Sequence, residues 1–423
     1  MTIAPLRRQA IRLRVGRLVD GTGAEAIEDA ALLIVDGRIA QVGPNSTVST
    51  PEDAWAIDHP GATALPGLID AHVHIALPPT PDPLATMASE SDDDLVVRGA
   101  AAAERMVRAG VTTAYDCGER GMTGYRIRDA IARGLSLGPR LMVSGRAITQ
   151  TGGHCHFFGG EADGVEGVRA AVRRMIDEGA DGIKIMATGG GMTAGTDSRF
   201  ASYSVGELAA AADETHRLGK RITSHAHGVP GIRNASEAGI DSIQHCTMLG
   251  PDWTWTFDET VARAMADRGT RAIPTIAAGT RAEVEAGIDI NKLQPNPGAM
   301  TRADWWANAR RLIDAGVTVV PGTDVGINLT DFGEELFFEL EAYVGIGVDP
   351  AEVIRMATAR AARHLGIESE TGTLVPGLEA DVLVVAGEPD RDISALRRSL
   401  LVLRAGQPIQ PTPPRPAPIR GRA

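Results

Sequence analysis

The sequence predicts an α/β protein, a (β/α)8 (TIM) barrel carrying a small composite β-sandwich domain built from both chain ends. Three observations lead there. Strand-like and helix-like runs alternate through the middle of the chain, hairpin-like β segments occupy both ends, and histidines with one aspartate recur where the middle strands finish. At about 150 residues per domain, 423 residues suit one large barrel with an appendage.

The elements follow in order. From Ile11 to about Pro66 short apolar runs are separated by turns, with Asp36-Gly37 between alternating apolar residues, a strong hairpin signal because both positions tolerate positive φ. Residues 1–65 are therefore read as the first half of the small β domain. Strand-like runs then come at ALPGLIDAHVHI, TTAYDCG, RLMVSGRAI, GIKIMATGG, RITSHAHG, SIQHCTML, RAIPTIAA and VTVVPGTDVG. Helix-like segments such as Asp93 to Ala109, Val165 to Asp177, Val205 to Leu218, Thr260 to Asp267 and Ala303 to Ala315 supply the crossovers that parallel strands need. This assigns residues 66–366 to the barrel. The β pattern returns in GTLVPGLEADVLVVAG and SLLVLRAGQPI, so residues 367–406 complete the small domain. Residues 407–423, with prolines at 408, 411, 413, 414, 416 and 418, are expected to form a disordered tail. The stretches Pro78 to Asp94 and Thr280 to Met300 are long enough to act as lids.

Composition removes several function classes. A hydrophobic content of 43% excludes a fully disordered chain. With 42 basic against 54 acidic residues the net charge is −12, which repels nucleic acid. No run reaches the roughly 18 apolar residues of a membrane span, and Arg7, Arg8, Arg12 and Arg14 break up the amino terminus where a signal peptide would be apolar. Three scattered cysteines, Cys117, Cys155 and Cys246, suit a reducing compartment. A cytoplasmic protein without membrane or nucleic-acid partners is the expectation.

Seven of the ten histidines gather at strand ends: His72 and His74, His154 and His156, His225 and His227, and His245. In a barrel those ends converge on one face. Residues two apart on a strand point the same way, so His72 and His74 can reach one metal ion. Alone, such a pair is equally an incidental polar feature of a barrel mouth. With His225 and His245 ending consecutive strands and Asp324 ending the last, the set has the ligand chemistry of zinc or a similar divalent ion. Lys184, one of only three lysines, interrupts the apolar run GIKIMATGG. Its charge there must be paired, for instance with Asp324, or removed. Burial that lowers its pKa would let the amine react with carbon dioxide to give an anionic carbamate.

LPGLIDAHVHI, GIKIMATGG, SHAHG, QHC and PGTDVG, in this order, resemble the amidohydrolase superfamily from about Ile11 to Gly406. ITQTGGHCHFFGG is similar to its imidazolonepropionase-like and Xaa-Pro dipeptidase-like branch, which includes ochratoxin-type amidases. The resemblance implies two divalent metal ions, zinc by default. His72 and His74 would bind one, His225 and His245 the other, with the Lys184 carbamate between them and Asp324 binding the first metal and handling the proton. A shared water acidified to hydroxide would attack an amide carbonyl. A small-molecule amide or dipeptide-like substrate and a homo-oligomer are further implied.

Outside that set, His154 follows Gly152-Gly153 and is expected to donate a hydrogen bond to the carbonyl oxygen or developing oxyanion. His227 and Arg199 are candidate substrate contacts, Arg199 for a carboxylate. His59, His156, His216 and His364 carry no such pattern. Gly189-Gly190-Gly191 lacks phosphate-loop spacing and reads as a flexible barrel loop. Single-metal deamination or cyclic-amide hydrolysis is the alternative, although glycine occupies position 228 where such deaminases usually place glutamate. A non-catalytic binding barrel would be expected to have lost ligands.

Overall fold

The computed structural model describes residues 10–255, 257–278, 302–327 and 329–411. The Thr280 to Met300 stretch and most of the proline-rich tail lie outside these residues.

The first four strands are β1 (Ala10–Leu18), β2 (Ile27–Val35), β3 (Arg38–Pro44) and β4 (Trp55–Pro66). Asp36 (φ 51°) and Gly37 (φ 78°) close the β2–β3 hairpin as the Asp-Gly signal requires. Toward the carboxyl end come β12 (Val382–Ala386), β13 (Ser399–Arg404) and β14 (Gln407–Ile409). Both chain ends join one seven-stranded sheet ordered β14-β13-β12-β4-β1-β2-β3, with β12 antiparallel to β4 (Val384 opposite Ala64). Leu13, Val15, Leu32, Ile34, Val382, Val384 and Leu403 form its core. Ordered chain runs past Gly406, where the tail was expected to begin: Ile409 pairs with Val402, and Pro408 is tolerated because β14 is an edge strand.

Between these ends lie two parallel sheets. One holds β5 (Leu68–Val73), β6 (Val111–Asp116) and β7 (Arg140–Val143); the other holds β8 (Ile183–Met186), β9 (Ile222–Gly228), β10 (Ser242–Leu249) and β11 (Arg271–Ile273). Single parallel bridges join Ile148 to Ile185, Ala272 to Val319 and Val73 to Val325. Seven of the eight expected runs are strands. The eighth, VTVVPGTDVG, makes only isolated bridges, and the first is split at Gly67, where a Cβ would lie 2.7 Å from Thr112 Cβ and nearer still to its branch atoms.

The crossover helices Asp92–Arg108, Gly164–Asp177, Val205–Arg217, Glu259–Arg268 and Arg302–Asp314 match their expected spans closely. Ser91 with Asp94 and Ser204 with Glu207 form reciprocal capping boxes that start two of them. Pro78 to Asp94 is not irregular throughout. It contains the helix Pro83–Ser89, begun by a proline in its first turn and capped by Asp82. Among the described residues no helix is long and apolar enough to cross a membrane.

Candidate metal centre

Parallel strands bring the expected side chains to one place because their carboxyl ends face the same way. A cavity of about 510 Å3 has His72, His74, Lys184, His225, His245 and Asp324 in its wall. Ligand atoms of His72, His74 and Asp324 lie within 4.8 Å of one another, and so do those of His225, His227 and His245. Asp324 Oδ1 is 3.2 Å from His72 Nε2 and 3.3 Å from His74 Nε2. The two sets meet where the His72 and His245 rings lie 5.3 Å apart.

Each imidazole is oriented from behind, which decides the nitrogen left to face the cavity. His74 Nδ1 bonds the Gly118 carbonyl (2.8 Å), His245 Nδ1 the Thr275 hydroxyl (2.9 Å) and His225 Nε2 the Gly189 carbonyl (3.0 Å). His72 differs: it is buried, and neither ring nitrogen has a hydrogen-bond partner. Orphaned buried nitrogens beside a carboxylate fit a divalent cation. Burial, reinforced by neighbouring positive groups, holds His72, His225 and His245 well below the usual imidazole range. They are thus neutral, the form that binds metal.

Backbone strain marks the same positions. His245 (φ 63°) and Asp324 (φ 60°) occupy the left-handed region, and the β9–β10 register shifts after His245. Non-glycine residues there cost about 1–3 kcal/mol and persist where surrounding structure holds them. For Asp324 the holder is Asp70, which accepts from the Thr323 hydroxyl (2.7 Å), the Thr323 N–H (3.1 Å) and the His72 N–H (3.2 Å). Asp70 was missed in the sequence, although the alternation in DAHVH places it in phase with both histidines.

Lys184 is 1% exposed, and burial lowers its pKa. Among the described residues it forms no ion pair, so the pairing with Asp324 offered by the sequence is not made; Asp324 lies against His72 and His74 instead. Its charge acts on His72, His225 and His245, and so reaches both ligand sets.

His154 and His227 also line the cavity. The His154 ring lies 4.6 Å from that of His225, its Nδ1 bonds Thr193 Oγ1 (3.1 Å), and burial drives its pKa down to about 3. His227 bonds Thr247 Oγ1 (3.0 Å) and stacks on His245 at 4.7 Å, closer to the ligand set than a substrate contact requires. Arg199 stands apart from these residues. It does not line the cavity, and its guanidinium is taken by Asp197 (2.6 Å) and the Pro251 carbonyl (2.8 Å) while lying over Trp253. Only Ser198 separates Arg199 from Asp197, so the pair is local in the chain.

A buried carboxyl pair behind His74 was also missed. Asp116 and Glu119 have ligand atoms within 4.8 Å of His74's, and Glu119 accepts the Ala76 N–H (2.8 Å). Burial raises both, Asp116 to about 6. Both stand at a strand end in YDCGE, which was the available signal. The outer wall is mainly apolar, from Pro83, Leu84, Met192, Trp305 and Ile327.

Histidine and aspartate donors at the ends of parallel strands define the class, a protein whose side chains could hold a metal ion. The comparisons with known proteins name the family. Residues 63–407 match the amidohydrolase family model, and the chain belongs to that family. It is 30% identical to ochratoxinase of Aspergillus niger, over 90% of this chain and 82% of that one. Imidazolonepropionase of Saccharopolyspora erythraea is 26% identical over 91% of this chain and 92% of its own. A solved Xaa-Pro dipeptidase with methionine bound in its active site superposes with TM-score 0.84 at 28% identity, covering 95% of this chain and all of the other. These relatives match the branch expected from the motifs and make the protein a hydrolase acting on carbon–nitrogen bonds.

Proposed function

We propose that the protein is a binuclear metal-dependent amidohydrolase cleaving an amide bond in a dipeptide-like substrate, N-acyl amino acid or related carboxamide. The observation that carries this reading is the pair of donor sets that share one cavity with a buried lysine. His72, His74 and Asp324 would hold one cation, His225 and His245 the other, zinc by default, with Lys184 between them as its carbamate. Two divalent cations so held supply an acidified water and polarise a carbonyl near neutral pH.

The chain's own groups do the rest. Asp324 keeps one carboxylate oxygen beside His72 and His74, leaving the other to accept a proton and return it to the departing nitrogen. His154, fixed through Nδ1 by Thr193, presents Nε2 to the carbonyl oxygen. Apolar side chains around the mouth limit bulk water. Position 228 favours hydrolysis over deamination: a side chain there would meet the Ser198 carbonyl at 2.8 Å, which leaves no room for a glutamate. The single parallel bridges support closure of the two sheets into a (β/α)8 barrel over residues 66–366, with 1–65 and 367–406 as its β domain.

The test is metal analysis with a screen of dipeptides, N-acyl amino acids and aryl amides, repeated on Lys184→Ala and Asp324→Asn. About two metals per chain and loss of turnover in both variants are expected. One tightly bound metal with ammonia release from a heterocycle would replace this reading with deamination. Full metal loading without turnover would leave a binding protein.

A further inference from the structure

At the opposite ends of the strands, beneath the first residues of β8, β9 and β10, is a second cavity of about 20 Å3. Tyr115, Arg221 and His364 contribute its polar wall together with Asp181, Thr223 and Ser242. Several of these groups lack a partner. His364 is 3% exposed and its Nδ1 has none, while Tyr115, 5% exposed, donates no hydrogen bond among the described residues. The half-buried Arg221 packs against Gly366, where a Cβ would lie 2.9 Å from its Nε, yet among the described residues it forms no ion pair.

Arg221 and Arg363 both stand close enough to Arg271 for their charges to interact with it, and neither Arg271 nor Arg363 has an ion-pair partner among the described residues. Burial and Arg221 hold the Arg271 guanidinium below its usual range against the opposing pull of Asp241, and Glu368 is the other acid within reach. Burial, then Arg271 and Arg221, drive His364 down to about 3. Two of the nearby acids are committed elsewhere. Asp181 takes Arg128 (3.0 Å) and the Val143 N–H (2.9 Å), while Asp241 takes the Ile222 N–H (2.8 Å) and His216 Nε2 (3.0 Å). Elsewhere in this arginine-rich protein guanidiniums are routinely paired, as Arg140 is with Glu370 and Arg397 with Glu341.

We propose that this cavity binds one small inorganic anion of chloride size, held by Arg221, the Tyr115 hydroxyl and the His364 imidazole. A water needs about 10–15 Å3 measured in this way, so the volume admits one small ligand and excludes an enclosed phosphate. The anion adds negative charge beside these guanidiniums and gives the buried His364 Nδ1 a partner. It binds where helix Ala361–Leu365 meets the strand beginnings, so its effect is on stability rather than on the amide-cleaving site.

The experiment uses the metal-loaded full chain, with chloride replacing gluconate at fixed ionic strength. Chlorine-35 line broadening and a saturable rise in Tm of about 3 °C are expected, following the linkage of ligand binding to folding. Both disappear in Arg221→Gln, whose metal content and hydrolytic rate stay at wild-type level. Absence of broadening in the wild type overturns the proposal, and so does broadening that persists unchanged in Arg221→Gln, which would place chloride elsewhere. Equal stabilisation by sulfate overturns the assignment to a chloride-sized ion. Should Arg221→Gln not fold, Tyr115→Phe carries the same readings.

Discussion

A single methyl group added at Gly190 tests whether His154 takes part in turnover. The Nε2 side of the His154 ring rests on this glycine: a Cβ there would lie 2.7 Å from Cδ2 and nearer still to Nε2 and Cε1. Ordinary contact needs about 3.5 Å, so the ring must retreat by about 1 Å. Neither side yields freely. His225 stands 4.6 Å behind the ring, Thr193 holds Nδ1, and Thr196 Oγ1 accepts the Gly190 N–H at 3.2 Å. A displacement of 1 Å at a group that meets the reacting carbonyl costs about 100-fold in rate, or about 2.7 kcal/mol of barrier. Gly190→Ala is therefore expected to lower kcat/KM about 100-fold on whichever amide the screen identifies. Metal content should be unchanged, because His154 is outside both donor sets. Gly191→Ala is the control: its Cβ meets nothing within 4 Å, and activity should stay within about twofold. Steady-state kinetics with metal analysis decide the matter. A Gly190→Ala enzyme within about threefold of wild type would refute a catalytic position for His154.

Four further outcomes follow from the same geometry. Asp70→Ala strands three donors, two on Thr323 and the His72 N–H, so at about 1–3 kcal/mol each it should destabilise by several kcal/mol and lower metal occupancy, read by urea unfolding and elemental analysis. Burial raises the Glu339 carboxyl to about 8, so the native state keeps a proton that an unfolded glutamate loses near 4.3; stability should fall as pH rises between these values, by up to about 5 kcal/mol. Glu339→Gln should remove that slope, and an unfolding free-energy difference from wild type that does not vary with pH would count against it. Arg199→Ala should change KM less than about threefold, because its guanidinium already belongs to Asp197; a large rise in KM for carboxylate-bearing substrates alone would restore it as a substrate contact. Chelation should lower Tm in proportion to metal removed and abolish hydrolysis, with both restored by zinc.

Much of the architecture was legible in the residues because the signals were local. Strand and helix periodicity located seven strands and the main crossover helices, and Asp36-Gly37 marked its hairpin. The two donor sets were legible because imidazoles two apart on a strand, or ending adjacent parallel strands, have few places to go. The surroundings of Arg199 were not legible for the opposite reason: a nearer partner, Asp197, competes with any ligand, and composition does not rank competitors.

The linear chain by itself determined the alternation of strand and helix, the order of the histidines and the choice of metal-binding side-chain types, since these depend on neighbours a few residues away. Only the folded arrangement decided which ring nitrogen each histidine presents, that Asp70 reaches across 253 positions to Thr323, and that Asp116 and Glu119 share a buried space behind His74. It alone brought Arg221, Tyr115 and His364 to one small cavity and left His364 Nδ1 without a partner among the described residues. Hydrogen-bond direction and desolvation act over a few ångströms in space, and distance along the chain does not encode them.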